Sequence, residues 1–382
     1  MVDKRRWTRW IVGVMLVIMV SGGIGYLSGE VVIRRWNHDD GWIVELQSCR
    51  GGPMTDQEIS KKGDSQWCTR HFDVAVTYLT GEQRGSQKSI LVEQLEGSSL
   101  ALYPNRRYVL LVDRFPDGTV QYSVSDRFRL PWVVAFLCGT AGLVCLFAGW
   151  TGVRAVVGLG LSLLVLLKGF VPAVLAGFSP VPVALLAVAL VSVVTVCLVV
   201  RRRRYRVVAF FGALGGTGAA CLLGWGAVEL WQITGLGSEG GALFASTFPG
   251  YDMRGIFLAS VIVGAIGAVL DVAISVTSAM AELVDHAPSI EPSRLWASGL
   301  AVGREILGSM INTLILAYFG SSLIMVLLIV TSGLSIQFIL NDPMVSQELI
   351  QSLAGTLGLL LTVPLTASVG VWLVQKKSGV RR

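Results

Sequence analysis

The chain has 382 residues, of which 53% are hydrophobic and only 15% charged, against about 25% charged in soluble domains. With a mean hydropathy of +0.65, an ordinary soluble enzyme is excluded, and the long apolar runs exclude disorder. The net charge of +6 is not a nucleic-acid signature: residues 30–129 hold 13 basic and 14 acidic residues, the rest holds 18 and 11, and that excess lies between apolar stretches, where it orients a membrane protein.

A spanning helix needs about 20 mainly apolar residues. Eight stretches qualify: residues 10–27, 131–150, 153–171, 181–200, 207–231, 255–281, 308–330 and 353–374. The third carries Lys168, and the seventh has a polar N-terminal extension. With the N-terminus placed in the cytoplasm, the inside segments hold 4, 1, 5, 2 and 4 Lys/Arg, while the three short outside loops hold only Arg254. Seven spans would invert every loop after the missed helix and separate the 201–206 block or the basic C-terminus from the N-terminus. The expected architecture is an all-α polytopic membrane protein of eight spans, both termini cytoplasmic. Its parts are an anchor (1–29), a β domain (30–129) and a seven-helix membrane domain (130–382). Lys4, Arg5, Arg6 and Arg9 would also suit a signal peptide, but the apolar run is long and residues 21–29 lack an A-x-A site, which favours an uncleaved anchor.

Residues 30–129 form a polar insert, read as extracytoplasmic. Strand-like runs recur at 42–47, 72–79, 89–94, 108–112 and 120–124, each with β-branched or aromatic residues in period-two alternation. Turn signals separate them, including Pro116-Asp117-Gly118. The one helical signal is a turn near 55–61. The expectation is a small all-β domain, a five-stranded barrel of OB or SH3 type. Of six cysteines, Cys138, Cys145, Cys197 and Cys221 lie in spans and read as small apolar residues. Cys49 and Cys68 lie in the insert, where an oxidising exterior permits a disulfide; two unpaired buried thiols are the alternative. There is no basic stripe interleaved with aromatics, so nucleic acid is not an expected partner. His38-Asp39-Asp40 reads as a solvated loop rather than a metal site.

Charged side chains in the hydrocarbon cost about 2.5–3.5 kcal/mol on insertion scales. The sixth span holds the strongest case. Asp271, Ser275, Ser278 and Glu282 follow i, i+4, i+7, i+11, which places two carboxylates and two hydroxyls on one helical face. Gly264 and Gly267 extend that face without side chains, so a neighbouring backbone can approach. In the functional reading the stripe lines a polar path on which Asp271 binds a cation or carries a proton. In the structural reading Asp271 fixes bundle packing. Downstream, Glu305, Ser309 and Asn312 share a face at the entry of the seventh span. Arg304 is the natural counter-ion for Asp271 or Glu282 if the helices touch, or it forms a surface pair with Glu305. Residues 293–303 can begin as an interfacial helix. Gly212, Gly216, Gly158 and Gly160 fit close helix packing, the first two with small-xxx-small spacing. Lys168 and Glu229 read as structural, and Pro364 as a kink.

No P-loop, HExxH, GxSxG or strand-borne GxGxxG occurs, so no enzyme, metal or cofactor is expected. The segments GAIGAVLDVAISVTSAMAEL (264–283) and GREILGSMINTLILAYFGSSL (303–323) resemble the YibE/F-like family of bacterial multi-span membrane proteins. The resemblance extends over residues 131–374, and the preceding β domain fits the longer members. It implies a plasma-membrane protein of undefined activity and supplies no catalytic residue or substrate. The leading expectation is permease-like transport of a small solute or ion along the sixth and seventh spans. The alternative is a non-transporting scaffold or accessory subunit whose β domain contacts an envelope or membrane partner. Besides the lipid bilayer, no partner or oligomeric state is readable.

Overall fold

A computed structural model describes residues 4–35, 41–51, 69–80, 84–95, 102–103, 105–114, 120–237 and 239–379. The chain divides into two compact units, Met1–Gly152 and Val153–Arg382. Within the first unit the helices that flank the insert pack on each other.

The first unit begins with helix α1 (Lys4–Arg35) and ends in the first arm of α2 (Leu130–Val165). Small residues line their seam. Cβ atoms built on Gly25 and Gly29 would collide with Pro131, Gly139 faces Ser21, Gly142 faces Val17, and Gly13 faces Leu146. The partner numbers rise along α2 as they fall along α1, so the helices run antiparallel in van der Waals contact. Between them lie five strands: β1 (Gly41–Gly51), β2 (Thr69–Tyr78), β3 (Gln87–Leu95), β4 (Arg107–Arg114) and β5 (Val120–Arg127). All five expected runs are strands. They close into a barrel in the order β1-β2-β3-β5-β4. Every pairing is antiparallel except β3 with β5, where Val92 meets Tyr122. Inward positions alternate as the pleat requires: Val74, Val76 and Tyr78 on β2, and Tyr108, Leu110 and Val112 on β4, are all buried. The turn expected at 55–61, Cys68 and His38-Asp39-Asp40 lie outside the described residues, as does the side chain of Cys49.

Among the described residues, seven helices are long and apolar enough to cross a membrane, against eight expected spans. The difference lies in one segment, Leu130–Leu175, of 46 residues. At 1.5 Å per residue it would measure about 69 Å, twice the hydrocarbon thickness. It is not straight. Gly149 has φ 57° and ψ −134°, backbone that only glycine adopts without strain. Beyond it, Gly152 lies against the carbonyl oxygen of Val144, eight residues earlier, so the helix is interrupted at Gly149. The two expected stretches 131–150 and 153–171 meet at this bend. The later arm continues through a π-helical turn, Leu166–Phe170, that holds Lys168, into α3 (Val171–Leu175).

In the second unit, α4 (Pro180–Val199), α5 (Arg203–Leu230), α6 (Glu239–Thr247), α7 (Met253–His286), α8 (Pro292–Ser321), α9 (Leu323–Thr331), α10 (Ile336–Asn341) and α11 (Pro343–Gly379) follow. The central element is α7, which packs on α4, α5, α8 and α11. Its core face includes Val269, Val272, Ala273, Val276 and Met280, all buried. Helices α5 and α11 cross closely: Cβ atoms built on Gly212 and Gly216 would collide with Thr366 and Thr362. This is the close packing expected of that glycine pair. The segment 293–303 is not a separate interfacial helix. It is the first part of α8, held by Leu295, Gly299, Gly303 and Leu307 on its buried face, so this helix starts earlier than residue 308. Pro364 lies inside α11, which continues through it.

Candidate functional site

The stripe of α7 points away from the helix core. Gly264, Gly267, Asp271, Ser275, Ser278 and Glu282 are all exposed, whereas the intervening apolar residues are buried or half-buried. This follows from the 3.6-residue period, because α5 and α11 take the apolar side. Ser260, also exposed, extends the line by one more turn. From Ser260 to Glu282 the line rises about 33 Å, close to the thickness of a hydrocarbon core. Asp271 has no hydrogen bond or ion pair among the described residues. Gly264 is approached by Tyr318 Oη and Gln351 Nε2, at 3.1 and 3.3 Å from a Cβ built there. A Cβ on Gly267 would meet nothing within 4 Å, so the close approach expected at Gly267 is absent: the stripe turns outward there and no neighbouring helix covers it.

Each end of the line opens into a cavity. At the N-terminal end of α7, a space of about 350 Å³ includes Phe244, Phe257, Ser260, Gln347, Glu348 and Gln351 in its walls. At the C-terminal end, a space of about 260 Å³ lies between the α4–α5 turn and the last turns of α7. Arg201, Arg202 and Tyr205 form one wall; Thr277, Ser278, Glu282, Asp285 and His286 form the other. The turn is pinned by buried Tyr205 and by Arg206 Nε, which donates to the Val200 carbonyl at 3.0 Å. Arg202 pairs with Asp285, and Arg204 lies 3.9 Å from the same carboxylate. His286 Nδ1 donates to the Glu282 carbonyl at 2.9 Å. Thr277 is fully buried, and its hydroxyl has no hydrogen-bond partner among the described residues.

The sequence-derived residues therefore separate. Ser278 and Glu282 line the second cavity; Asp271 and Ser275 lie between the two cavities. Arg304, Glu305, Ser309 and Asn312 are exposed on α8. Arg304 forms no ion pair with Asp271, Glu282 or Glu305 among the described residues; the basic partners at this end of the bundle come from the α4–α5 turn instead. Sequence reasoning missed Ser260, although its i−4 spacing from Gly264 was readable. It took Arg201 and Arg202 as markers of membrane side alone. Thr277, Gln347 and Gln351 carried no sequence signal, because their roles come from tertiary contacts. Among the described residues, no group of three or more His, Cys, Asp or Glu side chains is placed to hold a metal ion.

The sequence model of the YibE/F-like protein family matches residues 136–376. No curated protein and no solved structure matches the chain.

Proposed function

The chain belongs to the YibE/F-like family, and we propose that it is a permease-like protein that passes a small solute or ion along the outer face of α7 and the adjoining α8. The observation that carries this reading is the line from Ser260 to Glu282. It consists of small and polar positions, has Asp271 at its middle, spans a membrane's thickness, and ends in a cavity on each side. A carboxylate at that depth is costly without water or a counter-charge. Hydration along the line removes that cost, and a hydrated line is a path. The role we assign is non-enzymatic and needs no cofactor.

The proposed setting is a bacterial plasma membrane, crossed eight times, with the Gly149 bend joining the second and third crossings. The Arg201–Arg206 block and both termini are placed in the cytoplasm, where Lys and Arg accumulate, and residues 30–129 outside. For the barrel, parallel closure of β3 on β5 favours the OB type over the SH3 type among the two expected. Its proposed task is to gate the path or to contact an envelope partner.

Flux into proteoliposomes tests the reading, with a panel of labelled small ions and solutes. The wild-type chain should pass at least one of them above empty vesicles. Asp271→Asn should lose that flux while remaining in the membrane in equal amount. Absence of any wild-type flux, or unchanged flux in the variant, contradicts the reading. Exposure of the same stripe favours a second one, a non-transporting scaffold whose stripe is covered by a membrane partner. That reading expects a co-purifying subunit and tolerance of Asp271→Asn.

A further inference from the structure

We propose that the cavity between the α4–α5 turn and the end of α7 binds a small zwitterion: a molecule carrying a carboxylate or phosphate and, a few bonds away, a primary amine. The proposal names a ligand class for one end of the proposed path and rests on that reading only for the ligand's onward route.

The first argument is charge. Arg202 and Asp285 neutralise each other in an ion pair. Among the described residues, Arg201 and Glu282 remain without an ion pair, one cation and one anion on opposite walls of the same 260 Å³ space. They do not pair with each other. An anion alone would satisfy Arg201 and be repelled by Glu282; a cation alone would do the reverse. A ligand bearing both signs meets both, and each mismatch rejects a competitor.

The second argument is the Thr277 hydroxyl. Three other buried hydroxyls in this unit bond to the carbonyl four residues back, Ser192 to Val188 at 2.7 Å, Thr217 to Ala213 at 2.8 Å and Thr362 to Gly358 at 2.8 Å, whereas Thr366, at the α5–α11 crossing, shares with Thr277 the lack of a partner among the described residues. Thr277 is fully buried and makes no such bond, yet it lines the cavity. An unsatisfied hydroxyl is costly to bury. A ligand that spreads the cavity wall brings an oxygen or ammonium to this hydroxyl, a contact the closed wall does not offer to water. The third argument is size, since the space falls below the range of about 300–1,000 Å³ typical for drug-sized ligands.

Two sources carry this chemistry: a free amino-acid-like solute, and the headgroup of an amine-bearing phospholipid. Thermal unfolding of the full chain in dodecyl maltoside tests both. The probes are a mixture of free α-amino acids and O-phosphoethanolamine, compared with propionate, inorganic phosphate and ethylamine added singly. At least one zwitterionic probe should raise the melting temperature, and the single-sign ions should not. Arg201→Gln and Glu282→Gln should each weaken binding at least about tenfold, as loss of a charged hydrogen bond implies, and Thr277→Val should weaken it too. Response to the amino acids assigns a solute. Response to O-phosphoethanolamine alone, with stabilisation in nanodiscs containing phosphatidylethanolamine over phosphatidylglycerol alone, assigns a lipid headgroup. The proposal is overturned if neither zwitterionic probe binds, if a single-sign ion binds as well, or if binding survives in both charge variants. The wild-type panel decides by itself should a variant fail to assemble. Zwitterion binding without flux in proteoliposomes upholds the site and contradicts the path; flux of another solute without zwitterion binding does the reverse.

Discussion

Arg202, at the N-terminus of α5, forms an ion pair with Asp285, one residue before the end of α7. The pair ties the arginine-rich turn to the helix that carries the polar stripe, and it joins the two walls of the smaller cavity. Its side chains are 50% and 32% exposed, so solvent screens most of the attraction. Asp285→Asn should cost about 1 kcal/mol or less. A double-mutant cycle with Arg202→Gln, read by thermal unfolding, should return a coupling of that size. A much larger coupling would mean that the pair is buried in the assembled protein.

Close packing of α5 on α11 gives a sharper contrast. A side chain on Gly216 would run into Thr362, whereas one on Gly226, in the same helix, meets open space. Gly216→Ala should lose about 1–2 kcal/mol, overpacking outweighing the gain in helix propensity. Gly226→Ala should gain up to about 1 kcal/mol. Opposite signs in melting temperature check the crossing; equal signs contradict it.

The bend at Gly149 rests on one backbone conformation. Alanine there would be strained by about 1–3 kcal/mol, with no compensating contact, because a Cβ at this position meets nothing within 4 Å. Gly149→Ala should lower the melting temperature and the yield of folded protein, while Gly160→Ala, at an equally open helical site, should not.

In the barrel, the Ile43 N–H donates to Thr80 Oγ1 at 2.7 Å, and both residues are buried. Thr80→Val keeps the shape and removes the acceptor. The orphaned amide should cost about 1–3 kcal/mol, and hydrogen exchange at Ile43 should speed up accordingly. Unchanged protection would show that the amide has another partner.

The parts of this fold legible in the sequence are those written in a local period. Alternation marked all five strands, and apolar runs marked the middle of every long helix, but α1 and α11 run well past their apolar stretches into polar sequence, and the polar start of α8 hid about four turns of helix. The third stretch, 153–171, was legible as sequence, yet its separation from the second depends on the φ of Gly149, which no hydropathy window reads. For the site, the i, i+4, i+7, i+11 spacing found the stripe because helical geometry alone puts those residues on one face. It did not show that the face points outward, since that depends on which neighbours cover α7. Nor did it find the cavity. Arg201, Thr277 and Glu282 meet only when the α4–α5 turn folds against the end of α7, and a contact 76 residues apart in sequence leaves no periodic trace.

The central claim is that the line from Ser260 to Glu282 is wet. A single cysteine at Ser275, midway between Asp271 and the smaller cavity, in a chain whose six native cysteines are replaced, tests it with a membrane-impermeant thiol reagent on intact vesicles. The account predicts that Ser275→Cys is modified, that Val272→Cys, on the fully buried face, is not, and that Asp271→Asn leaves the labelling in place. An inert Ser275→Cys in folded, membrane-inserted protein would contradict it, because that face would then lie against lipid or another helix.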